Sequence, residues 1–117
     1  MWVFWVVYRL LLHVDSDDVG PMSIALSNAE NFLAAVGRGE VALVANGPGV
    51  RHFVRGSQFG ERIASLARRG VRFYVCSNAL RNLGIDPSSL VAEAEVVPAG
   101  IVKIVELVQQ GYIYVKP

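Results

Sequence analysis

The chain has 117 residues, of which 53% are apolar, and its eleven basic and ten acidic side chains almost cancel. This length suits one domain spanning residues 1–117, and the near-neutral charge lacks the electrostatic footprint that a nucleic-acid partner requires. Because the apolar fraction exceeds that of an average soluble domain, we expect part of the surface to be buried between copies of the chain.

The N-terminal run of residues 1–14 is almost entirely apolar. A membrane-spanning helix needs roughly 20 apolar residues, whereas Arg9 interrupts this run, and no membrane association is expected. A secretory leader would begin with basic residues and end at small ones, which this run does not do. Its richness in valine and aromatic residues predicts a buried strand at 8–14, preceded by an apolar extension at 1–7.

Two helices and one strand are predicted in the middle of the chain. A polar loop at 15–21 leads into a helix at 22–36, whose apolar positions recur at helical spacing and which ends at a glycine. The second strand, at 41–45, is an unbroken apolar run, as expected for a strand covered on both faces. A glycine-rich turn at 46–49 closes it, and a further helix is predicted at 59–69.

The last part of the chain continues the alternation of strands and helices. Strands are predicted at 71–75, 94–97 and 112–116, with a short helix at 76–83 and a longer one at 98–110. Such alternation favours right-handed crossovers and a mainly parallel sheet with helices on both faces. The predicted fold class is therefore α/β: a three-layer α/β/α sandwich with a five-stranded sheet, similar to flavodoxin.

Candidate site residues follow the predicted strands, because open parallel sheets bind ligands beyond the carboxyl ends of their strands. We expect these residues to gather at one edge of the sheet, with Cys76 as the catalytic candidate and the others as substrate-binding or supporting residues. The supporting candidates are His13, Asp15, Asn46, Gly47, Gly49, Ser77, Asn78 and Gly100.

Cys76 is the only cysteine, so no internal disulfide can form and a reduced, cytoplasmic thiol is expected. A thiol at the start of a helix faces unpaired backbone N–H groups and the positive end of the helix dipole, which favour the thiolate. A thiolate attacks disulfides and persulfides. The alternative is a buried cysteine that packs as a small apolar side chain, and its position alone leaves both interpretations open.

Other patterns point less clearly to chemistry. The turn at 46–49 lacks the spacing and the Lys-Ser/Thr pair of a phosphate loop, so it is interpreted as a turn that needs glycine. The aspartates at 15–18 do not follow a calcium-loop pattern, and no metal site is predicted. A lone histidine such as His13 is either structural or an aid to proton transfer. Arg51, His52 and Arg55 form a basic cluster that would suit an anionic donor or an acidic partner surface.

Particular strings resemble the DsrE/DsrF-like family of intracellular sulfur-relay proteins. These strings are LLLHVDSDD, LSNAENFLAAV, VALVANGPGV, LARRGVRFYVCSNAL and VVPAGIVKIVELVQQGYIYVKP, and the resemblance extends over residues 8–117. It implies an α/β/α sandwich that assembles into trimers or hexamers. In members that transfer sulfur, it also implies a cysteine at a strand end that accepts sulfur as a persulfide, and Cys76 matches that position.

The resemblance predicts a small oligomeric protein that accepts sulfur on Cys76 and passes it on by transpersulfidation, without a cofactor. Its partners would be sulfur donor and acceptor proteins as well as further copies of the chain. Two alternatives remain open at this stage. In one, the crevice binds a small anion and Cys76 only lines it; in the other, the chain is a structural subunit of an oligomer and its cysteine is inert.

Overall fold

The structure, a computed structural model, describes residues 7–117, and its five strands lie in one sheet. The strands are β1 (Arg9–Val14), β2 (Glu40–Ala45), β3 (Arg72–Cys76), β4 (Ala94–Val97) and β5 (Ile113–Val115). The helices are α1 (Val19–Val36), α2 (Gly60–Arg68), α3 (Ser77–Leu83) and α4 (Gly100–Gln109), with 3₁₀ helices at Gly47–Phe53 and Pro87–Ser89. Every predicted strand and helix is therefore present.

Most element boundaries agree with the prediction to within two residues, and three differences concern α1, β3 and the turn after β2. Helix α1 begins at Val19 rather than at residue 22, because Pro21 falls in the first turn, where its missing N–H has no helical partner to lose. Strand β3 extends through Cys76 instead of ending at residue 75. The glycine-rich turn at 46–49 opens a 3₁₀ helix that continues to Phe53.

All neighbouring strands are parallel, in the order β4-β3-β2-β1-β5. From β1 to β4 each crossover moves one strand further in the same direction, so right-handed connections put α1, α2 and α3 on one face. The connection from β4 returns across the sheet to β5 and puts α4 on the opposite face. The predicted three-layer α/β/α architecture of flavodoxin-like proteins is confirmed.

The core is divided by the sheet into a larger and a smaller part. Alternate β1 side chains, such as Leu10 and Leu12, pack under α1, α2 and α3 in the larger cluster. The intervening Leu11 faces α4, where Ile104 and Leu107 cover it in the smaller cluster. Since one helix covers this second face, its outer surface has no further layer in the described part of the chain.

The apolar N-terminal run contributes β1, which is buried from Leu10 to Val14 as predicted. The predicted apolar extension at 1–7 lies, apart from Val7, outside the described part of the chain. Within residues 7–117, no helix combines the length and the apolar character that crossing a bilayer demands.

Candidate functional site

A cleft opens at the carboxyl edge of the sheet, between the ends of β3 and β4. The chain leaves β3 toward one face and β4 toward the other, so α3 and α4 diverge and the sheet edge is uncovered between them. The cleft has a volume of about 360 Å³. It is lined by Asn46, Gly47, Pro48, Cys76, Asn78, Ala79, Asn82, Leu83, Ala99, Gly100 and Ile101. Five of the predicted site residues therefore meet at one place.

Cys76 is the last residue of β3 and the residue that caps α3. Its backbone is extended, with φ −73° and ψ 118°, so the chain turns from strand to helix directly after it. The residue is only 6% exposed, and it is a free thiol. Among the described residues that line the cleft, Cys76 is the only one with a nucleophilic side chain. Because the residue is almost buried, a reagent must enter the cleft to reach its thiol.

Gly100 begins α4 on the opposite side of the cleft. A Cβ atom placed on Gly100 would lie 3.1 Å from the Cβ of Cys76 and 3.1 Å from the Cβ of Asn46. Such contacts are tighter than almost any real side chain makes, so the space beside Cys76 exists because residue 100 has no side chain. Asn46 and Cys76 flank this same space.

A hydrogen-bonded chain of three side chains reaches the cleft from β5. The Nε2 atom of His13 lies 2.8 Å from Oδ1 of Asn46, and its Nδ1 atom lies 2.5 Å from the hydroxyl of Tyr114. Since Oδ1 of an amide only accepts hydrogen bonds, Nε2 carries a proton and donates to Asn46; in the tautomer with this single ring proton, Nδ1 accepts from the tyrosine hydroxyl. His13 is thus a buried link between Tyr114 and a residue that lines the cleft.

Sequence reasoning did not select Tyr114 as a site residue. Its position depends on the parallel pairing of β5 with β1, which sets Tyr114 opposite Leu11 and brings its hydroxyl to His13. That pairing is a property of the strand order. A signal in the sequence is the alternation of Tyr112 and Tyr114, which places both rings on one face of the last strand.

Asp15 lies near the cleft but does not line it. Its carboxylate pairs with Lys116 at 2.5 Å, and this hydrogen bond holds the pKa of Asp15 below its usual value of 3.8. The same contact raises the pKa of Lys116. Asp17 pairs in turn with Arg51, at 3.7 Å.

In residues 7–117 no three His, Cys, Asp or Glu side chains come together as a metal site would require.

Gly49 belongs to the support of the cleft. It is buried in the 3₁₀ helix that Asn46 caps, and a Cβ atom there would lie against the carbonyl group of Val14. Gly47, one residue beyond Asn46, has a φ of 51°, a conformation that favours glycine. The two glycines therefore let the chain after β2 pass closely over the end of β1, which brings Asn46 to the cleft.

Arg81 organises the first turn of α3. It donates hydrogen bonds to the hydroxyl of Ser77, at 3.2 Å, and to Oδ1 of Asn78. Asn78 lines the cleft, whereas Ser77 stands behind it. Arg81 therefore links the side chains of the two residues that follow Cys76, both of which were predicted as supporting groups.

The basic cluster expected at 51–55 does not form as an anion site. The side chain of His52 is buried, and its Nε2 atom lies 2.9 Å from the carbonyl oxygen of Ser16, to which it donates. Arg51 is paired with Asp17. His52 therefore ties the 3₁₀ helix to the loop after β1 and has a structural role.

Fold and cleft together define a class: small parallel α/β proteins with a cysteine at a strand end in a crevice between two crossovers. The model of the DsrE/DsrF-like family matches residues 12–117, and the chain belongs to this family. A comparison with the curated proteins finds no match.

Solved structures of similar fold extend over almost the whole chain. A protein of unknown function from Methanobacterium thermoautotrophicum, MTH1491, is 34% identical, with a TM-score of 0.90 over 94% of this chain and 99% of that one. The ychN protein from E. coli has a TM-score of 0.81 at 13% identity, over 94% of this chain and 99% of that one. BT1422, a conserved protein of unknown function from Bacteroides thetaiotaomicron, has a TM-score of 0.71 at 13% identity, over 93% and 94%. The last two likenesses concern the fold alone.

Proposed function

We propose that the chain is a sulfur-relay protein that carries sulfur as a persulfide on Cys76. The observation that carries this proposal is the position of its only cysteine, which lines the cleft between the β3 and β4 crossovers. Membership of the DsrE/DsrF-like family supports the same role. The proposed role needs Cys76 as a reduced thiol, and thiols stay reduced in the cytoplasm, so a cytoplasmic location is part of the proposal.

The reaction is a transfer of one sulfur atom between thiols. The Cys76 thiolate attacks the outer sulfur of a donor persulfide; a bond forms between Sγ and that sulfur, and the S–S bond of the donor breaks. The electron pair leaves with the donor thiolate, which takes up the proton that Cys76 released. An acceptor thiolate then attacks the same outer sulfur and regenerates Cys76. Both steps exchange one S–S bond for another, so neither needs an oxidant, a reductant or a cofactor.

The shape of the cleft suits this transfer. Its volume of about 360 Å³ admits a small persulfide or the end of a flexible peptide segment that bears one. Because Cys76 is only 6% exposed, a bound persulfide is kept from bulk water and from thiols that do not fit the cleft. Selective entry is what a relay needs, since a persulfide open to every thiol would lose its sulfur.

The anion-binding alternative has less support. The described residues that line the cleft include no lysine or arginine, and a free anion is bound most strongly by such groups. The inert-cysteine alternative is separated from the proposal by experiment.

The test is sulfur loading of the purified protein with glutathione persulfide, followed by intact-mass spectrometry. We expect the wild type to gain the mass of one sulfur atom and to release it to added thiol. The Cys76→Ser variant should gain none, and because serine is similar in size to cysteine, its thermal unfolding should match that of the wild type. No other residue of the chain can form a persulfide, since Cys76 is its only cysteine. A wild type that never gains sulfur, or a serine variant that still delivers it, contradicts the proposal.

A further inference from the structure

Asn46 is oriented by its neighbours, and this orientation leaves one of its groups free. His13 donates to Oδ1 of Asn46 and itself accepts from the hydroxyl of Tyr114. These two hydrogen bonds orient the amide so that its oxygen is directed toward His13. In the described part of the chain no hydrogen bond holds the Nδ2 atom, and no buried side-chain nitrogen there lacks a partner. The Nδ2 group of Asn46 is therefore accessible, and Asn46 lines the cleft.

The side chain of Asn46 begins beside the space that a persulfide on Cys76 would occupy. Asn46 and Cys76 flank the same point, since their Cβ atoms are each 3.1 Å from the position of a Cβ on Gly100. An outer sulfur bonded to Cys76 extends from Sγ into the cleft. In its deprotonated form this sulfur carries negative charge, and an N–H donor stabilises such a charge more strongly than it stabilises a neutral acceptor.

Resting on the proposed function, we propose that Asn46 donates a hydrogen bond from Nδ2 to the outer sulfur of the Cys76 persulfide. Asn46 then touches the transferred atom, whereas His13 and Tyr114 are positioning residues that hold the amide with its donor toward the cleft. The substrate that this arrangement favours is a persulfide with an anionic outer sulfur, since an N–H donor stabilises negative charge on the sulfur that accepts its hydrogen bond.

The first experiment compares how long variants keep their sulfur. The proteins are loaded with glutathione persulfide, desalted, and followed by intact-mass spectrometry. Asn46→Ala should shorten the lifetime of the persulfide roughly tenfold to a hundredfold, the range expected for one lost hydrogen bond to a charged group. Asn46→Asp keeps the size of the side chain but replaces the donor with oxygen, so we expect a loss at least as large. If the shape of residue 46 alone mattered, Asn46→Asp would behave like the wild type.

Asn31→Ala is the matched control, because Asn31 is an exposed asparagine on α1 and does not line the cleft. Its persulfide should live as long as that of the wild type. In Asn46→Ala, which adds no charge beside the thiol, alkylation of the reduced protein by iodoacetamide should be no slower than in the wild type, which separates loss of the hydrogen bond from closure of the cleft.

The second experiment tests the positioning role. Tyr114→Phe removes the hydroxyl that donates to His13, and we expect it to shorten the lifetime of the persulfide about twofold to threefold. Tyr112→Phe is its control, since that hydroxyl contacts Glu40 at 3.2 Å instead of His13. In the wild type, the side-chain amide resonances of Asn46 should shift when Cys76 is loaded, a readout that needs no substitution.

The outcomes distinguish the two proposals. A wild type that loads sulfur and shows neither a shift of the Asn46 amide nor a shorter lifetime in the Asn46 variants overturns the role of Asn46 and leaves the relay intact. A wild type that never loads sulfur overturns the relay and, with it, the role of Asn46.

Discussion

Gly100 controls access to Cys76 at the scale of a single residue. Its φ is not positive, so alanine fits its backbone, and at the first position of α4 alanine does not weaken the helix. The added methyl group would nevertheless press on the side chains of Cys76 and Asn46. In Gly100→Ala we expect iodoacetamide to modify Cys76 roughly fivefold to tenfold more slowly, because small displacements of reacting atoms are costly. The rate is measured by mass spectrometry under native conditions.

Gly60→Ala provides the control for this prediction. Gly60 is likewise the first residue of a helix, α2, and a Cβ atom there meets nothing within 4 Å. Its alkylation rate should equal that of the wild type. If Gly100→Ala reacted at the wild-type rate as well, the space beside residue 100 would not be the route to the thiol.

The sequence predicted which residues lie at the cleft better than it predicted the hydrogen bonds and ion pairs that these residues make. Cys76, Asn46 and Gly100 follow three different strands, and the rule for parallel sheets is enough to bring them together. The same rule grouped Asp15 with the cleft residues, but it does not show that this carboxylate pairs with Lys116 and stays outside the cleft lining. Tyr114 was missed for a related reason, since its contact with His13 depends on which strand lies beside β1.

At the scale of an element, the 3₁₀ helix at Gly47–Phe53 depends on close packing at Gly49. In Gly49→Ala the new Cβ would lie 2.9 Å from the carbonyl carbon of Val14 and 3.3 Å from Cα of Asp15. These are backbone atoms, which cannot swing aside as side chains do. We expect the free energy of unfolding to fall by about 2 to 3 kcal/mol, as measured by urea denaturation.

Gly20→Ala is the opposite case. Gly20 lies in the first turn of α1, nothing comes within 4 Å of its added Cβ, and alanine is the better helix former. Its stability should change by no more than about 1 kcal/mol, in the stabilising direction. Equal stabilities of the two variants would contradict the packing argument.

Since Asn46 caps the affected element, Gly49→Ala should also reduce the yield of persulfide on Cys76.

Element types were predictable because each has a local cause, whereas some boundaries were not. Apolar runs and terminal glycines identify the strands and helices without reference to the rest of the chain. The start of α1 at Val19 depends on how the polar loop leaves β1. The 3₁₀ helix after Asn46 is imposed by the contact of Gly49 with the end of β1, which joins residues far apart in sequence.

At the scale of the whole molecule, the layers were predictable and the order of the strands was not. Alternating strands and helices with right-handed crossovers require parallel strands and two helical layers. They do not specify that the chain returns from β4 to pair β5 with β1. Among residues 7–117, that return leaves a single helix, α4, over one face of the sheet, and the outer side of this helix is exposed.

The outer side of α4 is unusually apolar for an exposed helix. Ile101, Val105 and Val108 recur at i, i+4 and i+7, so they form one stripe, and Val102 borders it. All four side chains are exposed, Ile101 to 61%. A stripe of this kind favours burial against another protein surface. We therefore propose that α4 contributes to the contact between copies of the chain, in the trimer or hexamer that the resemblance to the family implies.

Val105→Glu tests this assembly, because it puts a charge in the middle of the stripe, where burial without a partner is costly. Light scattering coupled to size exclusion should find the wild type oligomeric at micromolar concentration and the variant shifted toward the monomer. Ile24→Glu is the control: Ile24 is 53% exposed on α1, much as Val105 is 49% exposed on α4, but it lies on the opposite face of the sheet. A monomeric wild type would contradict self-association itself. If both variants dissociated equally, the contact could not be assigned to α4, since a charge on either helical layer would then have the same effect.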